Sequence, residues 1–162
     1  MDDLFAPPDQ RWEPVSPALA RLRRTLLVSV VVVLLLALVA LGLLWSPRWV
    51  PVVVGVLVVA AGAAGWVVIG RNARWWGYAE RDADLYIKHG AMFRRLVVVP
   101  YGRMQYVDVH AGPLEQMFKM ASVHLHTASP GTSARIPGLP AAEAARLRDR
   151  LTSLGETQAA GL

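Results

Sequence analysis

The sequence predicts a membrane-embedded helical hairpin followed by one small α+β domain: an antiparallel sheet or partly open barrel, with an amphipathic helix behind it. Three observations lead there. Residues 25–47 and 49–70 are uncharged, with Arg48 alone between them. Short strand-like segments separated by turn residues fill 75–136. From Leu139 to Leu154 apolar residues recur at helical spacing.

Residues 1–17 carry Pro7, Pro8, Pro14 and Pro17, and over 1–24 four acidic residues balance four arginines. Proline there opposes a long helix, so 1–17 is expected to be a flexible or extended head. From Ala18, the spacing of Leu19, Leu22 and Leu26 predicts a helix that enters the membrane near Thr25. The hydrocarbon core is about 30 Å thick and needs roughly 20 apolar residues at about 1.5 Å each. Segments 25–45 and 50–70 both meet that length, giving a hairpin over 18–71. The first run starts late, is long, and leads through Ser46-Pro47-Arg48 into a second run rather than to a cleavage site, so it does not read as a signal peptide. Trp45 and Trp49 bracket the turn and Trp66 lies near the far end, as interfacial tryptophans do.

Basic residues set the orientation. Arg21, Arg23, Arg24, Arg71 and Arg74 flank one end of the hairpin, and Arg48 alone marks the other. This places both termini in the cytoplasm and the protein in the cytoplasmic membrane as a multi-pass chain. Ala60 with Ala64, and Ala61 with Gly65, stand four apart in the second span, where small residues let helix backbones approach. They are the candidate packing residues, within the hairpin or against another subunit. Neither span contains an ionisable residue, which argues against a transporter, proton relay or channel.

The domain is expected over 72–155. Residues 75–79 are aromatic and strand-like, Arg81 to Asp84 form a turn, and 85–89 and 93–99 are further strands. Residues 104–110 alternate, with Met104, Tyr106 and Asp108 predicted on one face and Gln105, Val107 and Val109 on the other. Gly112-Pro113 opens a short helix over 114–120. Residues 122–128 alternate strictly, with Val123, Leu125 and Thr127 opposite His124 and His126, and 134–136 form a last short strand. A helix opened by Pro140 is expected to end at Gly155, leaving 156–162 as a disordered tail.

Several segments match a known pattern. They are Trp76 with Tyr78; Asp84, Tyr86, Ile87 and Gly90; the run from Val99-Pro100-Tyr101-Gly102-Arg103-Met104-Gln105 to Val109; Gly112-Pro113-Leu114 with Phe118; Thr127-Ala128; and Ile136-Pro137-Gly138-Leu139. Over roughly 20–152 the chain resembles the bacterial membrane proteins that carry a pleckstrin-homology (PH)-like domain behind a two-helix hairpin, the YdbS type. The resemblance implies a split barrel of two antiparallel sheets closed by a C-terminal helix, and no established catalytic activity. Lys119 departs from the pattern, which has glycine after Phe118, so the turn there is expected to differ.

Site residues follow from chemistry. There is no cysteine, which excludes disulfides and thiolate metal sites. His124 and His126 share a strand face and His110 is a third candidate, but no spacing of a zinc site is present, so no metal is expected. Residues 129–133 are a Ser-Pro-Gly loop without a phosphate-binding motif, and no nucleophile with a positioned base is recognisable. The reading is of a protein without enzymatic activity or cofactor. Residues 71–162 hold twelve Arg or Lys and eight Asp or Glu. Basic residues beside an anionic leaflet gain roughly 1 kcal/mol each, so Arg71, Arg74, Arg94 and Arg95 are the candidate headgroup contacts. Inositide binding by the first hairpin loop is disfavoured, because residues 80–84 are net negative. Nucleic-acid binding is not expected, since the basic residues form no periodic face. The expected partners are the lipid bilayer, a second copy, or another membrane protein such as a relative with several PH-like domains. The expected function is an interaction or assembly module, with anionic-lipid sensing as the alternative.

Overall fold

The computed structural model describes residues 11–44, 47, 49–128 and 133–160. The expectations for Trp45, Ser46, Arg48 and the loop at 129–132 fall outside those residues. Two long helices come first, α1 (Ala18–Leu44) and α2 (Trp49–Trp75). Both are long and apolar enough to cross a membrane, and the apolar windows within them are not buried by the rest of the protein. They form an antiparallel pair whose facing residues repeat at four and three. Pro51, Gly55, Val58, Gly62, Gly65 and Ile69 are half-buried on α2, and Leu27, Val31, Leu35, Leu38 and Gly42 on α1. Gly62 lies against Val31 and Gly65 against Leu27, so two glycines let the helices close on each other.

Among the described residues, seven strands form two antiparallel sheets. A short strand β1 (Glu13–Pro14) pairs with β2 (Gly77–Glu80), which continues to β3 (Asp84–His89) and β4 (Arg95–Pro100) in one antiparallel sheet. After a 3-10 turn at Tyr101–Arg103, β5 (Met104–His110), β6 (Met120–Thr127) and β7 (Ala134–Pro140) form a second antiparallel sheet, with the short helix α3 (Pro113–Met117) before β6. Helix α4 (Ala141–Ala160) packs Ala144, Leu147 and Leu151 into a core shared by both sheets. Burying three such side chains, each worth about 1 to 3 kcal/mol, is what holds α4 in place.

Several expectations need correction, among them the short helix expected over 114–120, which ends at Met117 while Met120 already begins β6. The head is not a free arm in its described part: β1 joins the sheet and Val15 is buried. The core also takes in Ala18, Leu19 and Leu22 from the start of α1, so the domain does not begin at 72. Trp75 ends α2 rather than starting a strand. Met104 sits on the inner face with Val107 and Val109, because the register shifts between Met104 and Tyr106; a bulge there breaks strict alternation. Finally, α4 runs through Gly155 to Ala160. Gly155 lies within the helix, and a Cβ there would make only ordinary contacts, 3.9 Å from the Tyr101 carbonyl and 3.8 Å from the end of Met104.

The turn at Lys119 does not differ as expected: it keeps a glycine-like backbone, with φ +54°. Its N–H donates to the Gln116 carbonyl at 2.9 Å, and its own carbonyl accepts from Ala141 N at 3.3 Å. A left-handed conformation costs a residue with a Cβ about 1 kcal/mol. Lys119→Gly is therefore expected to raise stability by about 0.5 to 1 kcal/mol, read as a higher midpoint in thermal unfolding; a lower midpoint would show that the lysine side chain contributes more than its backbone costs.

Candidate membrane-proximal site

The uncharged run of α2 ends at Gly70, just ahead of the first sheet. β2 leads away from the end of α2, residues 81–83 turn, and β3 returns, so the loop between β3 and β4 lies at the same end as the hairpin. Aromatic and basic side chains gather there. The Arg24 guanidinium lies 4.6 Å from the Trp66 ring and that of Arg94 4.1 Å from the Trp75 ring. Such pairs are favourable where a partly desolvated cation meets a ring face. Trp76 stacks on His89 at 4.8 Å, and burial together with nearby Arg95 holds the His89 imidazole below its ordinary value. Gly70 is tightly enclosed: a side chain there would run into the Arg24 guanidinium.

All four predicted headgroup residues fall at this junction. Arg71 and Arg74 are exposed on the last turns of α2, and Arg74 Nε donates to the Gly70 carbonyl at 3.2 Å. Arg94 precedes β4, and Arg95 is its exposed first residue, opposite His89. Arg71 also lines a cleft of about 390 Å³ with Val67, Val68, Asn72 and the loop from Gly90 to Phe93. The predicted packing residues divide. Gly65 faces α1, whereas Ala60, Ala61 and Ala64 are exposed on the outer side of α2.

His110, His124 and His126 sit elsewhere, on the outer face of the second sheet. His126 stacks on Tyr106 at 4.3 Å and lies 6.5 Å from His124, ring centre to ring centre. Asp108 is opposite His124, and His110 is opposite Ser122. Burial and Arg135 hold His124 below the usual imidazole value. Among the described residues, the side chains that bring three potential ligand atoms within 4.8 Å of one another are Glu13, Glu80 and Glu143, not these histidines.

That carboxylate cluster is the feature the sequence did not announce. Arg146 bridges Glu80 and Glu143, each at 2.5 Å, and Arg150 Nε reaches Glu80 at 2.7 Å. The Tyr78 hydroxyl lies 2.5 Å from Glu13 and 2.6 Å from Glu143, and with one proton it donates to one of them at a time. Burial and the two carboxylates push the Tyr78 phenol well above its usual value, while hydrogen bonding to Arg146 holds Glu143 below the carboxylate range. The cluster ties β1, β2 and α4 together, and its negative charge is answered by the two arginines. A smaller one joins α3 to the second sheet: Ser122 Oγ donates to Glu115 at 2.8 Å and accepts from Arg135 at 3.0 Å.

Two packed antiparallel sheets, a C-terminal helix across them and an apolar hairpin ahead of them define the class. The bacterial PH domain family profile matches residues 20–154, and the chain belongs to that family. It is 28% identical over 149 residues to transmembrane protein YdbS of Bacillus subtilis (strain 168), covering 91% of this chain and 92% of that one. With a transmembrane relative of that coverage and two apolar helices of spanning length, this is a membrane protein. No solved structure matches the chain.

Proposed function

We propose that the chain is a non-enzymatic protein of the bacterial cytoplasmic membrane that presents its PH-like domain as an interaction or assembly module. In this reading both helices span the bilayer and both termini are cytoplasmic. The domain acts as a split barrel closed by α4. It pairs with itself or with another membrane protein, such as a relative carrying several PH-like domains. The observation that carries the reading is the division of the small residues on α2. Gly62 and Gly65 are used against α1, and Ala60, Ala61 and Ala64 are left facing outward at membrane depth. Such a strip permits close approach of a further helix.

The natural chain has no cysteine, so single-cysteine variants report cleanly. Ala60→Cys and Ala64→Cys in native membranes are expected to form disulfide-linked dimers or adducts with a second membrane protein on mild oxidation, and Val33→Cys on the outer side of α1 is not. Uniformly absent cross-linking at all three positions would remove helix association through this strip.

The alternative is sensing of anionic headgroups, favoured by the convergence of Arg71, Arg74, Arg94 and Arg95 on the junction. The full chain is the right material for its test, because the first turns of α1 belong to the domain core. The Arg94→Glu, Arg95→Glu double variant should then retain less phosphatidylglycerol through detergent purification than the unaltered protein. Equal retention would remove these two residues from the site.

A further inference from the structure

The loop between β3 and β4 exposes two large apolar side chains, Met92 at 76% and Phe93 at 80%. Its shape is built in. Gly90 has φ +90°, and a Cβ there would run into the Phe93 carbonyl. The backbone therefore folds tightly behind the tip, and Met92 and Phe93 project from it. Leaving such a pair in water forgoes the favourable transfer of two large apolar side chains out of it.

The surroundings say what covers them. The loop forms one wall of the cleft whose other wall is Val67, Val68, Arg71 and Asn72 of α2. Val67 and Val68 are exposed, and they continue the apolar outer surface of the hairpin. The uncharged run of α2 ends at Gly70, and Arg71 is the first charge after it. Val67 and Val68 lie about one turn before Arg71, roughly 5 Å deeper along the helix axis. A loop packed beside them stands at the boundary between headgroups and acyl chains. Interfacial elements bury their apolar side roughly 5 to 10 Å into that boundary. The charges fit the same depth: Arg71 stands in the cleft and Arg94 follows Phe93, its guanidinium over Trp75.

We propose that the loop from Gly90 to Phe93 is a third membrane attachment, a wedge that places Met92 and Phe93 among the lipid chains of the domain-facing leaflet, beside α2. The occupant of the cleft is bilayer lipid, with Arg71 at its phosphate level. The wedge fixes the rotation of the domain about the hairpin, so the face it turns to the cytoplasm is set by lipid as well as by the helix junction. The inference rests on the membrane hairpin and is independent of whether the arginines select anionic headgroups.

The test uses the full chain with one introduced cysteine carrying an environment-sensitive fluorophore, Met92→Cys or Ala83→Cys. Each is reconstituted in phosphatidylcholine, alone or mixed with phosphatidylglycerol. Residue 83 lies in the opposite loop of the sheet and is exposed. The label at 92 is expected to emit at shorter wavelength and to lose most of its fluorescence when brominated acyl chains are present, and the label at 83 to do neither. Quenching in both lipid mixtures supports the wedge while removing any requirement for anionic lipid. Quenching only with phosphatidylglycerol supports the wedge and the headgroup reading together. A label at 92 as wet as that at 83 overturns the wedge. So does a shielded label that acyl-chain quenchers cannot reach, since protein would then cover the loop.

Discussion

Leu19→Ala is expected to destabilise the domain by about 2 to 5 kcal/mol, although Leu19 precedes the first membrane span. Leu19 is 3% exposed and belongs to the same core as Leu85, Val123 and Leu147 of the two sheets and α4. The fit is close on its partner's side as well. Gly138 has φ +69°, and a Cβ there would stand 2.8 Å from the Leu19 Cβ. Just ahead of the helix, Ser16 N–H donates to the Gly138 carbonyl at 3.0 Å. Gly138 thus serves two needs, a left-handed backbone and space for Leu19. Unfolding of the detergent-solubilised protein, followed by protease resistance of the domain, measures the effect. Leu36→Ala, on the exposed outer side of α1, should leave that resistance unchanged. An equal, small effect for both substitutions would show that Leu19 belongs to the membrane helix and not to the domain.

The second large effect is expected at Arg146. Arg146→Met should cost about 1 to 2 kcal/mol, well below the value for breaking a buried ion pair because the guanidinium is exposed and Arg150 remains on Glu80. The loss falls on the carboxylates. The Glu80 side chain is 12% exposed, and without Arg146 it and Glu143 stand near Glu13 with less compensation. For a domain of this size the thermal midpoint should fall by roughly 10 °C. Arg148→Met is the matched control, since among the described residues Arg148 pairs with exposed Asp149 next to it and should change stability by less than about 0.5 kcal/mol. Equal midpoints for the two variants would mean that the cluster follows the packing of α4 and does not secure it.

What was legible in the sequence divides by range. The two spans follow from composition alone, and β5 and β6 from alternation, because each signal lies within one segment. The strap at Glu13–Pro14 was not legible. Only two residues pair, prolines surround them, and the partner strand lies more than sixty residues away. Leu19 and Leu22 showed helical spacing, but spacing does not say whether lipid or a protein core receives the face. The phase of the small residues was open for the same reason. Spacing four marked Ala60 with Ala64 and Ala61 with Gly65; of these the four-and-three repeat of a packed pair turned Gly65 inward, together with Gly62. The carboxylate–arginine cluster joins three elements far apart in the chain, and no local pattern announces it. Of the candidate site, the four arginines were legible as charges beside a span, but the cleft and its projecting loop needed the return of β3 toward α2.

These observations make the apolar helical hairpin an insertion within one domain, whose core is built from residues on both sides of it. Val15, Leu19 and Leu22 together bury side chains worth roughly 5 to 8 kcal/mol, comparable with the whole stability of a small domain. The most direct test compares two water-soluble chains: 76–160 alone, and 11–22 joined by a short glycine-serine linker to 76–160. Amide resonances dispersed across a folded spectrum and one cooperative thermal transition are predicted for the joined chain only. A chain of 76–160 that folds alone with the same midpoint would contradict the account.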